Sequence, residues 1–217
     1  MADKELKVLV GIPCMETVHA NFAQSLVGLA VPNGTLYDFA IGSLIYDARN
    51  HIVYDAINQE ADLILWLDSD MVFSQDLFVK LVNAMNLTKA DIVTGLYFTR
   101  KTPITPVIYS RLETEREGDM IRICKDTYMD YPKDQLFPIH ACGFGACLTT
   151  VDICKKVIAQ HPSPFAPLPG MGEDMSFCYN AREAGGRIYC DSRIKLGHIG
   201  NWMFSEAEYQ MEEKANG

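Results

Sequence analysis

Asp68 and Asp70 stand one residue apart at the end of the apolar run LILWL, residues 63 to 67. Like charges that close repel, so a cation, a substrate proton or solvent must account for them. In an extended backbone, side chains two apart point the same way, which lets both carboxylates face one ligand while Ser69 turns aside. Oxygen ligation of this kind suits a hard divalent cation, Mg²⁺ or Mn²⁺, that keeps positions open for substrate phosphates. The plainer reading is a polar loop after a strand, and D-x-D alone supports either. A second acidic pair, Glu173 and Asp174, opens a helical stretch, where either carboxylate could serve as N-cap. No cysteine has an evident basic partner nearby in sequence, so thiol catalysis has no support.

Several elements must position these residues. KVLVGIPC (7–14) is a β-branched strand ending at Gly and Pro, and HANFAQSLVGLA (19–30) has helical apolar spacing. TLYDFAI (35–41) alternates as a strand, LIYDARNHIVYDAINQ (44–59) follows as a helix, and DLILWLDSD supplies a third strand. Ser74 is the expected N-cap of a helix over 75–86, and ADIVTGLYF (90–98) is a fourth strand. Strands alternating with helices predict an α/β fold: a single Rossmann-like domain with a mostly parallel central sheet and helices on both faces. Ligands of such sheets bind beyond the carboxyl ends of the strands. After residue 100, TPVIYSRL (105–112) and MIRICKD (120–126) predict a hairpin that could cover the cleft. HACGFGACLTT (140–150) reads as one further strand, VDICKKVIAQ (151–160) as a helix and 161–172 as a Pro-rich loop. EDMSFCYNAREA is then a helix stopped by Gly185-Gly186, and RIYCDSRIKLGHIG a strand leading into a loop. The glycines around Gly143 either let something approach the backbone closely or relieve crowding in a packed strand.

With LDSD at the strand end, ARN (48–50) before it, GED (172–174) at a later helix and GH (197–198) after the next strand, the chain resembles glycosyltransferases of the A-type fold, family 2-like, over residues 7 to 204. The resemblance implies a sugar moved from a nucleoside diphosphate donor, UDP-sugar favoured and GDP-sugar possible, to an acceptor hydroxyl. It implies one domain over 1–217, with a nucleotide-sugar half (1–100) and an acceptor half (101–217). Asp70 would hold Mn²⁺ or Mg²⁺, Asp68 would stand on the metal or on the donor's ribose, and His198 would complete the metal shell and tilt the choice toward manganese. Pro13, Cys14, Arg49, Asn50 and Ser69 would stand near the donor. An arginine at 49 could fork onto the diphosphate, or it could be an exposed helix residue paired with Asp47 or Asp55. Asp174 would be the general base on the acceptor hydroxyl, pointing to inversion with retention left open. Glu173 and Gly143 fall on the acceptor or sugar side. Trp202 either stacks on a sugar or simply packs.

The chain's 217 residues, 48% of them hydrophobic, fit one domain with a sizeable core. No signal peptide or membrane-length apolar run is evident, and seven scattered cysteines without a C-x-x-C fit reduced thiols, so a cytoplasmic location is expected. A net charge of −9 disfavours general nucleic-acid or anionic-membrane affinity. The acceptor class (saccharide, protein, lipid head group or modified nucleobase) is not encoded in any motif. DSDMV also fits the D-x-D-x-V/T of haloacid-dehalogenase-type phosphatases, although two strand–helix units precede it here. A noncatalytic nucleotide- or sugar-binding module is the third reading.

Overall fold

The computed structural model describes residues 6–42, 44–117, 120–200 and 203–216. Its elements run β1 (Val8–Cys14), α1 (Ala20–Gly28), β2 (Leu36–Ile41), α2 (Ile45–Asn58), β3 (Leu63–Leu67), β4 (Met71–Val72), α3 (Leu77–Thr88) and β5 (Ile92–Leu96). There follow β6 (Ile108–Glu117), β7 (Met120–Thr127), β8 (Leu136–Pro138), β9 (Ala141–Cys142), β10 (Ala146–Thr150), α4 (Val151–Ile158) and α5 (Glu173–Glu183). The chain closes with β11 (Ile188–Lys195), β12 (Gly197–Ile199), β13 (Met203–Phe204) and α6 (Glu206–Asn216).

The main sheet has the order β2-β1-β3-β10-β5-β11-β8. Strands β1, β2, β3, β5 and β11 share one direction, and β10 and β8 oppose it. The sheet is therefore mostly parallel, as expected, with an antiparallel strand lodged between β3 and β5. The strands in the middle are buried on both faces because helices cover both. Ile64 and Trp66 pack toward α2, α4 and α5, whereas Leu63, Leu65 and Leu67 pack toward α1 and α3. That division follows from the period of two along a strand.

Two close approaches fix the frame around the cleft. A Cβ on Gly11 would sit 2.4 Å from Ile52 Cγ2, so the glycine lets α2 lie tight against β1. Trp66 is fully buried, donates its indole N–H to Thr149 Oγ1 at 3.0 Å, and meets Phe144 and Phe165 edge-on. Truncating it would open a cavity beneath the cleft floor, so Trp66→Ala is expected to cost roughly 3–5 kcal/mol in urea unfolding.

Two local expectations need correction, one holds with its setting added, and one element was not anticipated. Ser74 does not cap α3: its hydroxyl bonds Asp76 Oδ1, and Asp76 occupies the cap position. The single strand expected over 140–150 is split into β9 and β10 at Gly143–Gly145. The hairpin β6–β7 forms, but its inner strand pairs with β9 and its Leu112 carbonyl accepts from Arg182 of α5 at 2.8 Å. Its described contacts thus tie it to the body of the fold. The chain after residue 204, to which no structure was ascribed, forms α6, whose Tyr209 stacks on Phe98 at 4.7 Å.

Candidate active site

A cleft of about 950 Å³ opens where β1, β3 and β5 end, which is where a parallel sheet collects its loops. Pro13 and Cys14 line it from β1, Ser69 from the turn after β3, and Glu173 and Asp174 from the start of α5. Burial foremost, with Asp38 adding, holds the Cys14 thiol above its ordinary value.

The two aspartates reach the cleft differently from the extended-chain expectation. Asp68 N donates to Gly145 O at 2.8 Å and Met71 N to Asp68 O at 3.1 Å, so residues 68–71 form a turn. The carboxylates then separate. Both Asp68 oxygens accept from Arg49 Nη2, at 3.0 and 3.2 Å. Asp70 Oδ2 accepts from Arg100 Nη1 at 2.5 Å. Burial above all, with Asp70 and Glu173 adding and Arg49 opposing, pushes the Asp68 carboxyl up to about 6.

Arg49 lines the cleft, and of its two expected settings only the exposed helix arginine is ruled out. Only 2% exposed, it is neither a surface residue nor a partner of Asp47 or Asp55. Its guanidinium bridges Asp68 and, through Nε at 3.5 Å, Glu173, above the rings of Phe144, Trp66 and Phe165 at 5.6–6.0 Å. Burial opposes the charge, but Asp68, then Glu173 and Asp174, outweigh it and raise the guanidinium's pKa. Arg49 therefore acts as an internal tie between β3 and α5, and its planar fork makes that possible.

Asp174 sits in the first turn of α5, where the helix dipole favours acidic groups. The N-cap is Gly172, so neither Glu173 nor Asp174 serves as the cap. Asp174 Oδ1 accepts from Met175 N at 2.6 Å. Burial, followed by Glu173, pushes its carboxyl up to about 6 despite the Met175 N–H and Arg49.

His198 lies on β12, and its Nδ1 is 2.8 Å from the Phe98 carbonyl oxygen. A carbonyl only accepts, so Nδ1 carries the hydrogen and Nε2 keeps its lone pair. Burial foremost lowers the imidazole's pKa, with Arg100 adding and the Phe98 carbonyl and Asp70 opposing. Nε2 is 3.7 Å from Asp70 Oδ1, a buried oxygen with no hydrogen-bond partner.

The remaining predicted residues are placed as follows. Asn50 Oδ1 accepts from Phe165 N at 2.9 Å, and the residue tethers the Pro-rich loop instead of lining the cleft. Gly143 lies behind the wall, where an added Cβ would stand 2.0 Å from the Tyr97 hydroxyl and 2.7 Å from Val107. Its lack of a side chain relieves crowding against two residues that do line the cleft. Trp202 lies outside the described residues. Sequence reasoning missed Arg100 and Lys101, both of which line the cleft. The signal available was a pair of cations, TRK, just past the carboxyl end of a predicted strand.

Among the described residues, no three His, Cys, Asp or Glu side chains come close enough together to hold a metal. The trio Asp68, Asp70 and His198 is not gathered into one shell, and Asp68 is paired with Arg49 instead. Asp70 and His198 nevertheless fit a cation. An unpartnered buried carboxylate oxygen and an imidazole lone pair face each other with no hydrogen between them, and O plus N donors suit Mn²⁺.

No protein-family model and no curated protein matches the chain. Solved structures do. A197 from STIV superposes with a TM-score of 0.64 at 20% identity, covering 90% of this chain and 86% of that one. GalNAc-T7, crystallised with UDP, GalNAc and Mn²⁺, superposes with a TM-score of 0.58 at 12% identity, covering 92% of this chain and 45% of that one. Among the described residues no helix is long and apolar enough to cross a membrane. At such identities the likeness is one of fold, and the fold is that of an A-type glycosyltransferase-like domain.

Proposed function

We propose that this protein transfers a sugar from a nucleoside diphosphate donor, UDP-sugar by preference, to an acceptor hydroxyl, with a divalent cation, Mn²⁺ above Mg²⁺, held at Asp70 and His198. The observation that carries this reading is the unpartnered Asp70 Oδ1 facing His198 Nε2 in the cleft that Asp174 also lines. When bound there, the cation supplies Lewis-acid stabilisation of the leaving diphosphate.

The chain's own groups do the rest. Asp174 accepts the acceptor's proton at Oδ2, while the Met175 N–H holds Oδ1 and fixes the carboxylate's orientation. A carboxyl raised to about 6 is a stronger base than a surface aspartate and is still mostly ionised at neutral pH. Glu173, tied to Arg49, lies beside it on the cleft wall. One base acting in a single displacement would invert the anomeric centre. Pro13 and Cys14 line the same cleft as Leu44, the N-cap of α2, and Ile45 and Ala48 in its first turn, an apolar surface suited to a nucleobase. The phosphatase reading is weaker, because its nucleophile would be Asp68 and Arg49 holds both of that residue's oxygens.

Thermal unfolding with UDP or GDP, with and without Mn²⁺, tests the proposal. A nucleotide at about one hundred times its Kd should add about 2.7 kcal/mol of apparent stability, and only with metal should the full effect appear. No stabilisation by any nucleoside diphosphate under either condition would sink the transferase reading. Stabilisation without turnover of any sugar donor would favour the noncatalytic module.

A further inference from the structure

Asp70 already has a cation beside it. Arg100 Nη1 lies 2.5 Å from Oδ2 and also donates to the Ile199 carbonyl at 3.1 Å. A divalent ion on Asp70 would meet this guanidinium at close range, and two cations crowd one carboxylate. The Arg100 side chain is 45% exposed, and partly exposed ion pairs hold their geometry weakly. It lines the same cleft as Pro13, Ser69 and Asp174, followed at once by Lys101. A guanidinium displaced from a carboxylate finds an equivalent forked partner in a phosphate.

We infer that Arg100 is an exchangeable counter-ion, neutralising Asp70 when no nucleotide is bound and passing to the donor's diphosphate when a divalent cation takes Asp70. This inference rests on the transferase reading and adds to it a residue that couples metal entry to donor binding. The same guanidinium discourages metal binding by the protein alone and rewards metal binding together with nucleotide. Arg100 binds the donor directly, and no bond to it is made or broken in transfer.

The exchange predicts opposite changes in two affinities. Binding of Mn²⁺ alone is read from the electron paramagnetic resonance signal of the free ion, and binding of UDP at saturating Mn²⁺ by calorimetry. Arg100→Gln should bind Mn²⁺ alone about fivefold more tightly, because a competing cation is gone. The same variant should bind UDP at saturating Mn²⁺ about tenfold more weakly, because charge-assisted bonds to the diphosphate are lost. Arg100→Lys should recover part of the UDP affinity. If wild-type protein binds both ligands and Arg100→Gln shifts them in the same direction, shifts only one, or shifts neither, the exchange is overturned and the transferase reading stands. If wild-type protein binds neither Mn²⁺ nor UDP, the transferase reading falls and takes the exchange with it. Unchanged circular dichroism and melting of the apo variant show that the fold is intact.

Discussion

Asp174→Asn is expected to lower sugar transfer by about 10²–10⁴-fold while leaving donor binding in place, since the loss of a positioned base removes that much rate. Asparagine keeps an oxygen for the Met175 N–H, so the first turn of α5 should remain as it is. The same substitution should stabilise the apo protein near pH 7.5. Burial, with Glu173 beside it, opposes the ionised Asp174, and its pKa of about 6 in the folded protein lies above the ordinary 3.8. A carboxyl with a raised folded-state pKa binds protons more readily folded than unfolded, so its contribution to stability grows as pH falls from about 6 toward 4. The advantage of the asparagine variant should therefore be largest above pH 6 and shrink below it, as the wild-type carboxyl is neutralised too. Wild-type kcat/KM should fall as pH drops through about 6. Full transfer activity in Asp174→Asn, or a pH profile flat from 7.5 to 5, would remove Asp174 from the mechanism.

Arg49→Met should cost about 3 kcal/mol in urea unfolding at pH 7.5, the lower end for breaking a buried ion pair, because Asp68 and Glu173 keep some contact with water. Methionine fills much of the same volume over Trp66, Phe144 and Phe165, so the loss reports the two abandoned carboxylates more than a cavity. With the guanidinium gone, the Asp68 carboxyl should rise further above 6, since Arg49 is what opposes its burial. Acidification to pH 5.5 protonates that carboxyl and should recover part of the stability. Donor binding should weaken as well, because the turn at 68–71 and the start of α5 lose their common tie. A variant as stable as wild type at pH 7.5 would show that Arg49 is dispensable to the frame.

These two residues show how far the sequence could be followed. The β-α units up to residue 100 are legible because β1, β3 and β5 are apolar runs separated by helical spacing, and local physics dictates both. Asp174 was legible through the GED pattern, although its position inside the first turn, with Gly172 as the cap, depends on where α5 begins. The burial of Arg49 was not legible. Its partners are 19 and 124 positions away, and nothing in ARN distinguishes an arginine facing water from one facing Asp68. Nor could HACGFGACLTT announce its break, because the neighbours that crowd Gly143 there, the Tyr97 hydroxyl and Val107, come from a different part of the chain. The short strands β4 and β8 offer too few residues for any period to show.

The insertion of β10 between β3 and β5 has a consequence for how the chain comes to be folded. During synthesis, residues 1–100 emerge with β1, β2 and β3 able to pair, while the facing edges of β3 and β5 wait for residues 146–150. Closing that gap is a long-range event with a high loop-closure cost, so it should come late, and Asp68, whose N–H donates to Gly145 O, should be among the last groups to settle. Hydrogen exchange pulsed during refolding should then protect the amides of β1 before those of β10. A ribosome-released fragment ending near residue 100 should expose one edge of β3 and both edges of β5, and aggregate.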